Sequence, residues 1–262
     1  MMYQPTGLQP DLRKHSLFGV GYNATNYDQA TEIIIDRARA RQSYAVSALA
    51  VHGLIMSYRD AQLNRFVSQI QLVVPDGQPV RWALNSFYKL GLRDRVYGPT
   101  LTLKVLERAA QFHLSVYLYG STEETANGLR SFIQKRFPSV RVVGVQPDRF
   151  RDNTEDEDAK DVETINRSGA HIVLVGRGCP RQEQWVAQHL GKVHAVMMAV
   201  GAAFDFHSGR KKQAPPWMQS RGLEWLFRLH QEPRRLWKRY LVTNSYFIYL
   251  YVKHRFILRR PT

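Results

Sequence analysis

The chain of 262 residues contains one cysteine, Cys179. An intramolecular disulfide framework is therefore excluded, and a reducing compartment fits. No His/Cys grouping has zinc spacing. There is no P-loop, no G-x-S-x-G elbow and no three-glycine dinucleotide fingerprint. Long apolar runs are lacking too. The first twenty residues hold none of signal-peptide length. The longest in the C-terminal region, about Ser245 to Val252, is cut by Lys253, His254 and Arg255. A spanning helix needs about 20 apolar residues, so this stretch cannot cross a bilayer, although it can lie in the interface. Acidic residues are scarce in one region. Residues 207–262 hold 2 Asp/Glu against 13 Lys/Arg, a surplus of +11, while residues 1–206 carry only +4 of the formal +15.

That basic tail is also aromatic, with Trp217, Trp225, Phe227, Trp237, Tyr240, Tyr246, Phe247, Tyr249, Tyr251 and Phe256. Basic groups mixed with Trp and Tyr suit a bilayer face, anionic outside and apolar inside. Nucleic acid is the competing partner, but no RNA- or DNA-binding motif accompanies the charge. The expectation is a cytoplasmic protein peripherally associated with the anionic inner face of the cell membrane, with no nucleic-acid partner. Trp217, Trp225 and Trp237 either pack the tail onto the core or face lipid.

Upstream, short β-rich runs alternate with helical ones. Strands are expected at Leu17–Gly21, Tyr44–Leu49, Gln71–Pro75, Leu114–Tyr119, Val140–Val145, Ile172–Val175 and Val193–Val200, interleaved with helices, none of them placed between Leu49 and Gln71. This alternation predicts an α/β fold: a Rossmann-like, mainly parallel sheet with helices on both faces. Residues 1–206 form the expected catalytic core. Residues 207–262 form a basic, helical, membrane-binding appendage, with helices near Pro216–His230 and Pro233–Arg260.

Ligands of such sheets sit beyond the carboxyl ends of the strands, and four strand-to-loop junctions carry polar residues there. In Pro75-Asp76-Gly77-Gln78, Asp76 follows an apolar strand directly and serves either as general base toward a sugar hydroxyl or as the N-cap of the next helix. In Val175-Gly176-Arg177-Gly178-Cys179-Pro180-Arg181-Gln182-Glu183, Gly176 and Gly178 open a helix start, which is either an anion cradle or a tight turn. Gln182 and Glu183 then occupy the first helical turn. Gly120 and Ser121 form a similar, weaker junction. Asp205 either binds ligand or fixes its own loop. Ser47, His52 and Arg95 lie near the same edge, and a structural hydrogen bond is an equal reading for His52. The acidic run Asp156-Glu157-Asp158 follows no apolar strand and reads as a solvated face. Cys179 reads as a packed small residue.

Taken together and in this order, these junctions resemble the bacterial WecG/TagA/CpsF glycosyltransferase family. The matching text runs from Val74-Pro75-Asp76-Gly77 through Gly176-x-Gly178-x-Pro180-x-Gln182-Glu183 to Val200-Gly201-Ala202-Ala203-Phe204-Asp205-Phe206. It ends with Gly222-Leu223-Glu224-Trp225-Leu226-Phe227-Arg228 and Glu232-Pro233-Arg234-Arg235-Leu236-Trp237-Lys238-Arg239. The resemblance spans roughly residues 16–245. It implies an inverting transferase that needs neither metal nor cofactor and moves a sugar from a UDP-sugar to a polyprenyl-diphosphate-linked acceptor. By the same resemblance Asp76 is the base, Gln182 shapes the sugar site, and Arg228, Arg235 and Lys238 reach diphosphate. The third of these is commonly Arg, so Arg239 is an alternative to Lys238. Where members often carry Thr-x-Asn, this chain has Ser47-Ala48-Leu49, a departure that leaves N-acetyl-sugar specificity open. The pattern looks closer to the exopolysaccharide branch, of the xanthan-type glucosyltransferase, and the donor sugar is expected to be glucose or an N-acetylhexosamine. An inactive scaffold paralogue and a nucleic-acid-binding protein are the alternatives. Assembly into a homo-oligomer is open.

Overall fold

The computed structural model describes residues 13–257, without the side chains of residues 216, 220, 235 and 257. Six parallel strands form the central sheet in the order β4-β3-β8-β7-β5-β6. They are β3 (Tyr44–Leu49), β4 (Leu72–Pro75), β5 (Ser115–Gly120), β6 (Arg141–Gln146), β7 (Ile172–Gly176) and β8 (Val196–Ala199). Residues along each strand alternate between the two faces. Ala45, Val73, Val173 and Val175 enter one core with β1 (Lys14–Leu17), β2 (Val20–Asn23) and the helices α2 (Val51–Arg59), α3 (Ala61–Gln69), α4 (Gln78–Tyr88) and α8 (Arg181–Gln188). Val46, Leu72, Val74, Ile172 and Leu174 enter a second with α1 (Tyr27–Arg39), α5 (Gly98–Gln111), α6 (Glu123–Arg136) and α9 (Gly201–His207). The expected α/β architecture with a covered parallel sheet is what forms.

Several elements depart from the sequence reading. The segment expected as one strand at Leu17–Gly21 folds back on itself. β1 (Lys14–Leu17) and β2 (Val20–Asn23) pair antiparallel across a two-residue turn, Phe18-Gly19, both at positive φ. The hairpin shields the sheet edge, where Asn23 Oδ1 accepts the Val73 backbone N–H at 2.8 Å. α2 and α3 were not anticipated. Asp60 separates them and caps α3 by accepting the N–H groups of Gln62 and Leu63. Arg95–Tyr97 is irregular chain, in which Val96 N–H reaches the Pro75 carbonyl at the end of β4. The helix expected over Pro216–His230 is two, α10 (Pro216–Ser220) and α11 (Glu224–Gln231). Gly222, at φ 73, ends the first, and the Leu223 N–H returns to the Met218 carbonyl.

α7 (Glu155–Arg167) starts at a Thr154–Glu157 capping box, which accounts for part of the acidic run. α12 (Pro233–Val252) continues into a π turn at Lys253–Ile257. α12 leans on α2, and its Phe247 and Leu250 are buried in the first core, where Phe247 stacks edge-on against Phe18. Its opposite side leaves Trp237, Leu241, Ile248, Tyr249 and Val252 exposed. Trp217 and Trp225 are exposed as well. No helix among the described residues is long and apolar enough to cross a membrane.

Because Leu250 is fully buried, Leu250→Ala leaves a cavity in the core. The expected cost is about 2–5 kcal/mol of global stability, read as a lower denaturant midpoint for the whole chain. An unchanged midpoint would mean that α12 does not share the core's stability.

Candidate active site

Six parallel strands present all their carboxyl ends along one edge, and the loops there enclose a cleft of about 890 Å³. Its wall is drawn from β3 (Leu49 to Gly53), the residue after β4 (Asp76), the β5 junction (Ser121), the β7–α8 turn (Gly176 to Glu183) and the β8–α9 turn (Val200 to Asp205). The backbones at its base are close. A side chain at Gly120 (φ 113) would sit 2.7 Å from the Gly176 backbone, so only glycine lets β5 and β7 converge here. A smaller chamber of about 150 Å³ adjoins the cleft beneath α11 and α12. The two share Ala50, His52, Asp76, Ala202, Arg228 and Arg239.

Asp76 stands where the chambers meet. It does not cap α4, whose N-cap is Gly77 and which has no side-chain cap. Its Oδ2 instead faces the Gly98 N–H at the start of α5, at 3.4 Å. Burial pushes its carboxyl up to about 7, and Glu224 adds to this; Arg95, the Gly98 N–H and Arg228 pull the other way. A carboxyl balanced there is half ionised at neutral pH. Burial, with a smaller effect from Arg239, lowers His52 to about 4, so its ring is neutral at pH 7.

Glu183 and Gln182 form a second polar group on the cleft floor. Ser47 Oγ–H and Gln182 Nε2–H donate to Glu183 Oε1 at 3.2 and 2.9 Å, and the Gly201 N–H donates to Gln182 Oε1 at 3.0 Å. This chain ties β3, the start of α8 and the start of α9 together and sets which way the Gln182 amide points. Burial holds the Glu183 carboxyl above its ordinary range. Cys179 borders the cleft beside Glu183, and burial raises its thiol well above the usual value; it is a wall residue with little thiolate character.

The rim is basic, with its cations largely paired. Arg177 and Arg181 both bind Asp148. Lys211 bonds Asp205 at 2.6 Å and also reaches Glu232. Asp205 therefore braces the loop after α9 while still lining the cleft. Arg228 enters from α11, its guanidinium 5.5 Å from the Phe206 ring centre, and Arg239 enters from α12.

The sequence matches the family described as Glycosyl transferase WecG/TagA/CpsF over residues 15–261. The chain belongs to this family. It is also 30% identical, over 235 residues and 88% of each chain, to the N-acetylglucosaminyldiphosphoundecaprenol N-acetyl-beta-D-mannosaminyltransferase of Bacillus subtilis. A glycosyltransferase of this family thus carries Asp76, His52, Ser121, Gly176, Gly178, Gln182, Glu183, Asp205, Arg228 and Arg239 around one cleft. Gly120 stands one residue behind the wall, and Ser47 lies beneath it, bonded to Glu183. Arg95 lines only the smaller chamber. Lys238 is exposed against Trp237, outside both chambers, whereas its neighbour Arg239 faces inward. The Arg235 side chain lies outside the described residues. Among the described residues, no three His, Cys, Asp or Glu side chains converge as metal ligands.

Sequence reasoning missed Glu224 and Tyr97, which enclose Asp76. One signal for Glu224 was present. It and Glu232 are the only acids in the basic tail, and both turn inward to pair with cations, Arg95 and Lys211.

The raised Asp76 carboxyl has a stability consequence of definite sign. Its favourable contribution is fully present below the unfolded value near 3.8 and is lost as pH rises through about 7. Asp76→Asn should therefore raise the melting temperature at pH 8, with the gain vanishing near pH 4. A lower melting temperature at pH 8 would mean that the ionised carboxylate stabilises the fold.

Proposed function

We propose that the protein is an inverting glycosyltransferase that moves a sugar from a UDP-sugar to a polyprenyl-diphosphate-linked sugar, in the synthesis of an exopolysaccharide or another cell-surface polysaccharide. The observation that carries this reading is Asp76. It is a carboxyl held near neutrality at the junction of two chambers, with arginines from the C-terminal helices beside it. A base with a pKa near the working pH combines ionised population with proton affinity. In the proposed step Asp76 takes the proton of the acceptor hydroxyl, whose oxygen attacks the anomeric carbon from the face opposite UDP. The bond to the diphosphate breaks, and the new negative charge stays on the phosphate oxygens. Guanidinium groups recognise phosphate through paired N–H donors, and Arg228 and Arg239 are in reach of that charge as it develops. This assigns the charge-stabilising role to arginine, so EDTA should leave turnover unchanged.

The Bacillus relative's name places an N-acetylmannosaminyl group on an N-acetylglucosaminyl-diphospho-undecaprenol, which supports a lipid-diphosphate acceptor here. Leu49, buried at the cleft wall, offers no hydrogen bond to an N-acetyl group, which favours a glucosyl-type donor. The tail at residues 207–262 fits a peripheral association with an anionic membrane. Exposed Trp217, Trp225, Trp237, Ile248 and Tyr249 supply apolar anchors beside its surplus cations, close to where a lipid-borne acceptor would arrive.

The test is UDP release from a panel of UDP-sugars with a glycosyl-diphosphate-polyprenol analogue, in EDTA. Asp76→Asn should lower kcat by roughly 10²–10⁴-fold. In the unaltered protein kcat/KM should fall tenfold per unit below pH 7, because protonation removes the base. Acceptor-dependent release that survives Asp76→Asn would place the base elsewhere.

A further inference from the structure

The Arg95–Glu224 ion pair is a feature that the proposed chemistry does not use. Its atoms approach to 2.5 Å, and both side chains are less than one-tenth exposed. Arg95 precedes α5 in the core, whereas Glu224 is the first residue of α11 in the C-terminal segment. The two meet in the wall of the small chamber, beside Asp76. The Arg95 guanidinium also lies 4.4 Å from the Tyr97 ring centre, so it is held from two sides. It is close enough to Asp76 to act on its charge, yet among the described residues its ion pair is with Glu224.

We propose that Glu224 is a positioning residue: it holds the Arg95 guanidinium off Asp76 and so leaves Asp76 able to accept a proton from the acceptor. The inference rests on Asp76 being the base. An arginine free to swing would form a bidentate pair with Asp76, because two parallel N–H donors match a carboxylate. A carboxylate locked in that pair stays ionised and is a poor proton acceptor. Glu224 competes for the same donors and holds them in a buried ion pair.

The other groups facing Asp76 do not substitute for Glu224. Tyr97, before α5, Tyr22 from β2 and Tyr27 from α1 all sit above the ordinary phenol range, chiefly through burial, and are neutral at pH 7. His52 from α2 is neutral as well. Arg228 and Arg239 are cations. Of the carboxylates that act on Asp76, Glu224 is the one that opposes its ionisation and also engages Arg95. Since Glu224 belongs to the C-terminal segment, the basicity of Asp76 depends on that segment being docked.

The test is an NMR titration of carboxyl-labelled aspartate in the full chain without substrate, with the Asp76 signal assigned through Asp76→Asn. Glu224→Gln should lower the Asp76 midpoint by about one unit or more, and Glu224→Asp should recover most of the shift. A midpoint that stays put or rises in Glu224→Gln overturns the proposal. Should Glu224→Gln fail to fold, the pair is replaced by apolar groups in Arg95→Met with Glu224→Leu. The midpoint should then rise, because Arg95 acts on Asp76 more strongly than Glu224 does; a fall or no movement overturns the proposal. The acidic limb of kcat/KM should follow the midpoint. If the midpoint moves as expected and the limb does not, Glu224 controls Arg95 but Asp76 is not the base, and it is the reading of the reaction that fails.

Discussion

Six strands running the same way impose the constraint on which everything else in this protein depends. In a parallel sheet every strand releases its loop at the same edge, and both faces are sealed by helices. The chemistry has one place to collect. β3 delivers Ser47 and the His52 turn, β4 delivers Asp76, β7 delivers the glycine turn before Gln182, and β8 delivers the approach to Asp205. Residues more than a hundred positions apart in the chain then share hydrogen bonds, as Ser47 and Glu183 do.

Onto this edge the C-terminal helices add charge of both signs. The tail is basic, and an unscreened cluster of arginines beside a carboxylate would hold it permanently ionised. Most of the cations around this edge are paired. Arg95 is occupied by Glu224, Lys211 by Asp205 and Glu232, and Arg177 and Arg181 by Asp148. At Asp76 burial has the largest effect and lifts the carboxyl to about 7; Glu224 adds to it, while Arg95 and Arg228 oppose it. Arg228 and Arg239 remain placed toward the cleft.

Much of the core was legible because its signals are local. Runs such as Ile172–Val175 can only be buried strands, and glycines directly after them mark the turns. The β1–β2 hairpin was not legible, since its turn uses Phe18, a residue with no turn preference, held at positive φ by packing against Phe87 and Phe247. The break in the tail helix rests on the single Gly222 and was readable in principle. At the site, the residues facing the cleft from the strand ends were foreseeable from position alone. Glu224 was marked only as one of two acids in a basic tail, and its pairing with Arg95, like the choice of Arg239 over Lys238, was not foreseeable, because each depends on how α11 and α12 roll onto the core. That rotation is set by long-range burial of Phe247 and Leu250, which no local pattern encodes.

Asp76 is the one carboxylate proposed to react, and Glu183 is tied to Ser47 and Gln182. In the proposed reaction, displacement occurs once, from the face opposite the leaving group. The most direct measurement is the anomeric configuration of the product formed from an α-linked UDP-sugar, read from its proton coupling in NMR. A β-linked product is predicted. An α-linked product would require a second nucleophile or a different path, and would contradict the central claim.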